Sequence, residues 1–349
     1  MNAWRSDTQK LASYLCYLGI FNSGLSEDDI LKKCHWGKKT TLTQNLVDLE
    51  TAGAIKKVKN SYFVTSVDPN LLGVPMNVRA SNSEKLIKLG EPFYRFLQST
   101  GCVMLIAISG SASHANVVNT EEKEADLDIF LVCKPATMQI MRMIYALYVR
   151  FIKIAKLFGR ADYPRFCVNT LMDFESLQVQ NCSIFTAFDL LNLRIITGEQ
   201  TFNLLKRKNA WTQKYFSSNV ATDRECEDAE PAASPATRFV NWIVFLILAL
   251  RSTVLAPFRG NDMESISFST AYARNKSWCL YHQNHLGGGH QSAIARRFAQ
   301  IYTENFEEDP ELYEFLFRGT IERGTWEKNK DSSKPHIEIE KADSHLGYR

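Results

Sequence analysis

Apolar side chains at Leu11, Leu15, Tyr17 and Leu18 recur with helical spacing and predict a helix over residues 8–20. A capping serine followed by acids, Ser26-Glu27-Asp28-Asp29, opens a second helix. The third, over 41–52, sets Leu42, Leu46 and Leu49 on one face and stops at Gly53, where a helix end favours a left-handed residue. Two short β-prone runs, 54–58 and 62–64, flank Lys59-Asn60-Ser61, which is hairpin-turn chemistry. Three helices and a hairpin make a winged-helix pattern, assigned to residues 1–70.

Helical patterning returns over 70–100 with Leu86, Ile87, Leu89, Phe93, Tyr94 and Phe96, the start of a second domain. The apolar run 102–108 leads into Ser109-Gly110-Ser111 and reads as a buried strand; 126–132 reads as another, its start alternating acid and aliphatic. After Pro135, 138–158 is a long amphipathic helix whose apolar surface is broken by Arg142, Arg150 and Lys153, and 165–172 is a third strand. Residues 184–197, closed by Gly198, and 200–217 read as helices. Composition then shifts over 219–236 to Asp, Glu, Ala, Pro and Ser, the mark of a solvated acidic loop. The predicted organisation is a winged helix (1–70), an α/β core with a mixed sheet (71–182), a helical C-terminal domain (183–325) and a charged, mobile tail (326–349), an α+β class overall.

Of the 349 residues 45% are hydrophobic and 23% charged, which excludes a disordered or fibrous chain. The net charge of +3 is too small to draw nucleic acid over the whole surface, so any such contact needs a local patch. Eight cysteines are scattered without a C-x-x-C pair, as expected for free thiols in a reducing compartment. The polar start Met-Asn-Ala-Trp-Arg does not read as a secretory signal, so a cytoplasmic location is expected. One run, 239–250, is almost wholly apolar between Arg238 and Arg251, with Asn241 inside it. It is shorter than the roughly twenty residues that cross a bilayer. A helix buried in a helical domain is the expectation, contact with a membrane surface the alternative, and stable insertion is not expected.

The chemistry concentrates at Ser109-Gly110-Ser111 and Asp126-Leu127-Asp128. Carboxylates two residues apart in a strand share one face. Side by side among aliphatics they repel unless a divalent cation or a cationic partner neutralises them. A Gly-Ser turn adds a backbone that approaches phosphate closely, with amide and hydroxyl donors.

In these residues and their order the chain resembles the polymerase-β-type nucleotidyltransferase superfamily. More narrowly it is similar to bacterial and archaeal nucleotidyltransferase-domain proteins that carry an N-terminal winged helix. The likeness runs from about residue 8 to 217 and includes Phe166-Cys167-Val168-Asn169 and Phe185-Thr186-Ala187-Phe188-Asp189-Leu190-Leu191. It implies transfer of a nucleoside monophosphate from a nucleoside triphosphate to an acceptor (protein, tRNA or small molecule), with release of pyrophosphate. Asp126 and Asp128 would be the catalytic pair and hold Mg²⁺ or Mn²⁺; Ser109, Gly110, Ser111, Arg142 and Asn169 would contact the nucleotide, with Lys134 near. Active members generally place a third carboxylate on the third strand, where this chain has Asn169. An amide cannot take a proton, which leaves Asp173, a base on the acceptor, or no base. The alternative is a nucleotide-binding regulator without turnover, whose winged helix binds DNA or a protein. The interval 112–125 is long and acidic, a lid or an insertion.

Lys38, Lys39, Lys56, Lys57 and Lys59 could reach DNA phosphates, but the third helix carries Asp48 and Glu50 and no arginine, so DNA contact is not favoured. His282, His285 and His290 around Gly287-Gly288-Gly289 would need Cys279 to complete a zinc site, and a glycine-rich polar loop is the preferred reading.

Overall fold

The computed structural model describes residues 7–33, 38–70, 74–118, 125–157, 165–179, 184–215, 232–255, 277–279 and 290–306. The sequence folds as a mixed α/β protein. At the N-terminus α1 (Asp7–Ile20), α2 (Glu27–Lys33) and α3 (Lys39–Thr51) precede an antiparallel hairpin of β1 (Ile55–Val58) and β2 (Ser61–Val64). Ser26 caps α2 as its position implies: Asp29 N donates to Ser26 Oγ at 3.2 Å. A bridge from Leu25 to Tyr62 adds a third short segment beside the hairpin.

Every residue from Leu11 to Gly19 is buried, so α1 is enclosed on all sides rather than along one stripe. Its cover comes from both ends of the chain. Leu42, Leu46 and Val64 lie on it from its own neighbourhood, Phe188 from α8 (Ile184–Leu191), and Phe298, Ile301 and Tyr302 from the helix His290–Asn305, α11 below. Phe188 stacks on Tyr17 with centroids 4.0 Å apart, and Tyr14 Oη donates to Asn192 Oδ1 at 2.9 Å, which satisfies that buried phenol.

The central sheet has the order β6-β3-β4-β5-β7, with β3 (Val103–Ile108), β4 (Asp126–Cys133), β5 (Arg165–Asp173), β6 (Arg194–Thr197) and β7 (Ser277–Cys279). Only β4 and β5 are parallel. The crossover between them is α7 (Met138–Leu157), as a parallel pair requires. In β4 the odd positions Leu127, Ile129 and Leu131 enter a core shared with α4 (Met76–Leu89), α5 (Glu91–Ser99) and α7. Phe130 and Val132 point the other way, into a core closed by Leu190 of α8 and Leu205 of α9 (Glu199–Lys208). The single turn α6 (Gly110–Ser113) follows β3, and α10 (Pro235–Leu255) packs on α7.

Several expectations need correction. The helix over 70–100 is two, broken at Gly90, with Pro92 in the first turn of α5. The stretch 184–197 is helical only to Leu191; Arg194–Thr197 is an edge strand on β3. The C-terminal region, read as wholly helical, also supplies β7 to the sheet. The acidic loop ends two residues earlier than the expected 236, because Pro235 begins α10 and Thr237 N donates to Ser234 Oγ at 3.1 Å. The run 239–250 is not a buried helix: Phe239, Trp242, Ile247 and Leu250 are exposed. Among the described residues no helix is long and apolar enough to cross a membrane. Cys16, Cys102, Cys133 and Cys167 are free thiols. Residues 219–231 of the acidic loop, the charged tail, His282, His285 and the triple glycine lie outside the described residues.

Arg79 of α4 is fully buried and ties three segments together. Its guanidinium donates to Asn22 O at 3.0 Å, to Pro69 O at 3.3 Å and to the Asn116 side chain, while Asn116 Nδ2 donates to Phe21 O at 3.0 Å. Arg79→Ala would orphan these buried acceptors at once and is expected to cost about 3 kcal/mol or more. Chemical denaturation measures this, and a loss under about 1 kcal/mol would show that the neighbouring packing alone holds the segments.

Candidate functional site

The end of β3 meets the start of β4. Ile108 pairs with Ile129, and Ser109 N donates to Asp128 O at 3.0 Å, so Ser109 continues the ladder. The chain then turns at Gly110, whose φ of +61° is left-handed. Ser113 Oγ closes the turn onto Gly110 O at 2.8 Å, and Asn116 N donates to Ser111 O at 3.0 Å. A Cβ at Gly110 would overlap Asp128 Oδ2 and lie 2.9 Å from Asp128 Cγ. Glycine here lets backbone and carboxylate touch.

Asp126 and Asp128 alternate with the core residues Leu127 and Ile129, so both project from the sheet face that carries Phe130 and Val132. Ser109 has the parity of Leu105 and Ala107 and belongs to this face too. Its hydroxyl is buried and has no hydrogen-bond partner among the described residues. A buried hydroxyl without such a partner on the face of two carboxylates leaves hydrogen-bonding capacity for a further group.

The opposing side chain comes from β5. Asn169 sits where the β4–β5 register slips, between the Ile129–Val168 and Phe130–Thr170 pairs, and it is buried. The slip re-aims its side chain. The Cys167 thiol donates to Asn169 Oδ1 at 3.0 Å, which leaves the amide nitrogen for the carboxylate of Asp128. Burial pushes the Asp128 carboxyl up to about 7; the Asn169 hydrogen bond opposes this, and the charges of Asp126 and Asp189 add to it. Asp189, on α8, is likewise raised to about 7 by burial. The Tyr145 phenol of α7 donates to Phe166 O at 2.9 Å, and burial raises its pKa, with Cys167 and then the two β4 aspartates adding.

Ser109, Gly110, Asp126, Asp128 and Asn169 therefore come together, and Ser111 follows half-buried in α6. Arg142 lies one turn before Tyr145 on α7, which covers the opposite face of the sheet. Lys134 and Asp173 belong to the far end. Lys134 is six residues beyond Asp128, about 20 Å along a strand. Asp173 pairs in register with Cys133 and is consumed structurally, accepting from Ala136 N at 2.8 Å and Glu175 N at 3.0 Å. The interval after α6 is packed as far as it is described: Asn116 and Val117 are buried, and Val117 N donates to Ser83 Oγ at 3.1 Å. Residues 119–124 lie outside the described residues.

Sequence reasoning passed over Asp189. Its signal was a lone acid inside an otherwise apolar helix, Phe185-Thr186-Ala187-Phe188-Asp189-Leu190-Leu191. A cavity of about 490 Å³ is lined by Thr197, Gly198, Phe202 and Lys206, toward the opposite end of β3 from Gly110, so chemistry rather than volume singles out the aspartates. No group of three or more His, Cys, Asp or Glu is gathered for a metal among the described residues. The donors present still suit a hard divalent cation that keeps waters: two carboxylates on one face and a buried hydroxyl, all oxygen. No family model, curated protein or solved structure matches the chain.

Proposed function

We propose that the chain is a nucleotidyltransferase of the polymerase-β type, moving a nucleoside monophosphate from a triphosphate to an acceptor. The observation that carries this reading is the contact of the Gly110 turn with Asp128, beside a buried, unpartnered Ser109 hydroxyl. Asp126 and Asp128 would hold Mg²⁺ or Mn²⁺, which neutralises phosphate charge while the α-phosphorus is attacked. Ser109, Gly110 and Ser111 supply hydroxyl and backbone donors to the phosphates. Asn169, fixed between Cys167 and Asp128, orients the carboxylate but takes no proton. Asp189 suits that task, because a carboxyl raised to about 7 is well matched to accept a hydroxyl proton at neutral pH.

The N-terminal helices and hairpin fit a winged helix that contacts protein rather than DNA. Lys39 pairs with Asp28 at 2.9 Å, Lys56 donates to Thr65 O at 2.9 Å and Lys57 lies over the Tyr62 ring. A second reading, a nucleotide-sensing regulator without turnover, is favoured by Asn169 alone.

Calorimetric titration of each NTP with Mg²⁺ and then with EDTA tests the site. Binding that needs Mg²⁺ and disappears in Asp126→Ala/Asp128→Ala supports it, and α-labelled nucleotide then separates transfer from sensing. Equal binding by both proteins, or none by either, sinks the assignment.

A further inference from the structure

Helices α7 and α10 leave a large apolar surface without cover. Of the eleven large hydrophobic side chains exposed among the described residues, three are on α7 and five on α10. On α7, Leu147, Phe151 and Ile154 follow i, i+4, i+7 spacing and so form one stripe. On α10, Asn241, Val244 and Phe245 are buried, and Asn241 Oδ1 accepts from Gln139 N of α7 at 2.8 Å. Phe239, Trp242 and Leu250 occupy the opposite arc, with Phe239 and Trp242 stacked at 6.4 Å. A helix apolar all round requires a second cover, and patches of this kind on a monomer mark an interaction site.

Charge selects the occupant. The two helices together contain four basic residues on α7 and two on α10, and neither has an aspartate or glutamate. Glu175 pairs with Arg238 at the start of α10, while Arg150 on α7 is exposed, so a second copy would still bring a net basic face against itself. An anionic lipid surface is complementary in both respects: its headgroups suit the net positive charge of the two helices while exposed Phe, Trp and Leu enter the acyl boundary. Stacked aromatics near the start of α10 suit the headgroup level. We infer that the α7–α10 face docks the protein peripherally on an anionic membrane.

The docking reading does not depend on the nucleotidyl-transfer reading, and its test uses no nucleotide. Full-length protein is co-sedimented with vesicles of phosphatidylcholine alone and of phosphatidylcholine with phosphatidylglycerol. Sedimentation with the anionic vesicles only, weakening as salt rises, is expected. Phe151→Ser/Trp242→Ser should lower the partition at least about tenfold, and Arg150→Glu about fivefold or more. Both are surface changes, and unchanged circular dichroism and melting confirm that the variants fold. Failure to bind anionic vesicles, or equal binding by wild type and Phe151→Ser/Trp242→Ser, overturns the inference. A dimer in sedimentation velocity that the same substitutions dissociate would overturn it in favour of self-association.

Discussion

Gly110→Ala is expected to abolish Mg²⁺-dependent nucleotide binding, whereas Gly53→Ala leaves it intact. Both glycines are left-handed, with φ of +61° and +73°, so each alanine carries a similar backbone strain of about 1 kcal/mol. Their surroundings differ. Nothing lies within 4 Å of a Cβ at Gly53, whereas at Gly110 the new methyl would occupy the place of Asp128 Oδ2. The Asp128 carboxylate must then swing away from Asn169 and Asp126, or the turn must move away from β4; either way the donors no longer converge. Paired melts and calorimetry separate the effects. Similar losses of stability with binding lost only in Gly110→Ala are predicted, and wild-type affinity in Gly110→Ala would rule out close approach of turn and carboxylate as a requirement.

The other large effect is on stability against pH. Asp128 and Asp189 titrate near 7 in the folded protein, whereas an unfolded aspartate titrates near 4. Between those values the folded chain holds protons that the unfolded chain has released. Stability therefore falls as pH rises from about 4 to about 7 and levels off above, by an amount on the order of 2–4 kcal/mol per group. Asp128→Asn removes one of the two ionisations, so the variant should melt higher than wild type at pH 8 and alike at pH 4. Adding Mg²⁺ at pH 8 should raise the wild-type melting temperature and leave Asp128→Asn unmoved. A wild type whose melting temperature is flat from pH 5 to 8 would mean that these carboxylates ionise without strain.

What could be read in advance was local. The period-two alternation of Asp126-Leu127-Asp128-Ile129 identified both the strand and the shared face of the acids, because the pleat follows from the sequence alone. Helical spacing located α1, α3 and α7 within a few residues for the same reason. Tertiary decisions were hidden. Arg194-Ile195-Ile196-Thr197 joins the sheet because β3 offers it an edge, and in isolation it continues a helical pattern equally well. The role of Asn169 depends on a register slip between β4 and β5, and Asp189 reaches the site only through the docking of α8. Residues that meet across distant segments leave no spacing to count.

The enclosure of α1 also bears on how the chain is made. Nine successive residues from Leu11 to Gly19 are buried, and part of what buries them, α11, lies almost three hundred positions later. While a ribosome is still extending the chain, that helix has an apolar flank with no permanent neighbour. Such long sequence separation slows folding and leaves sticky intermediates in the meantime. Helix α1 is made long before α11 and completes its packing only when α11 arrives, so until then its open flank is a surface a chaperone could cover.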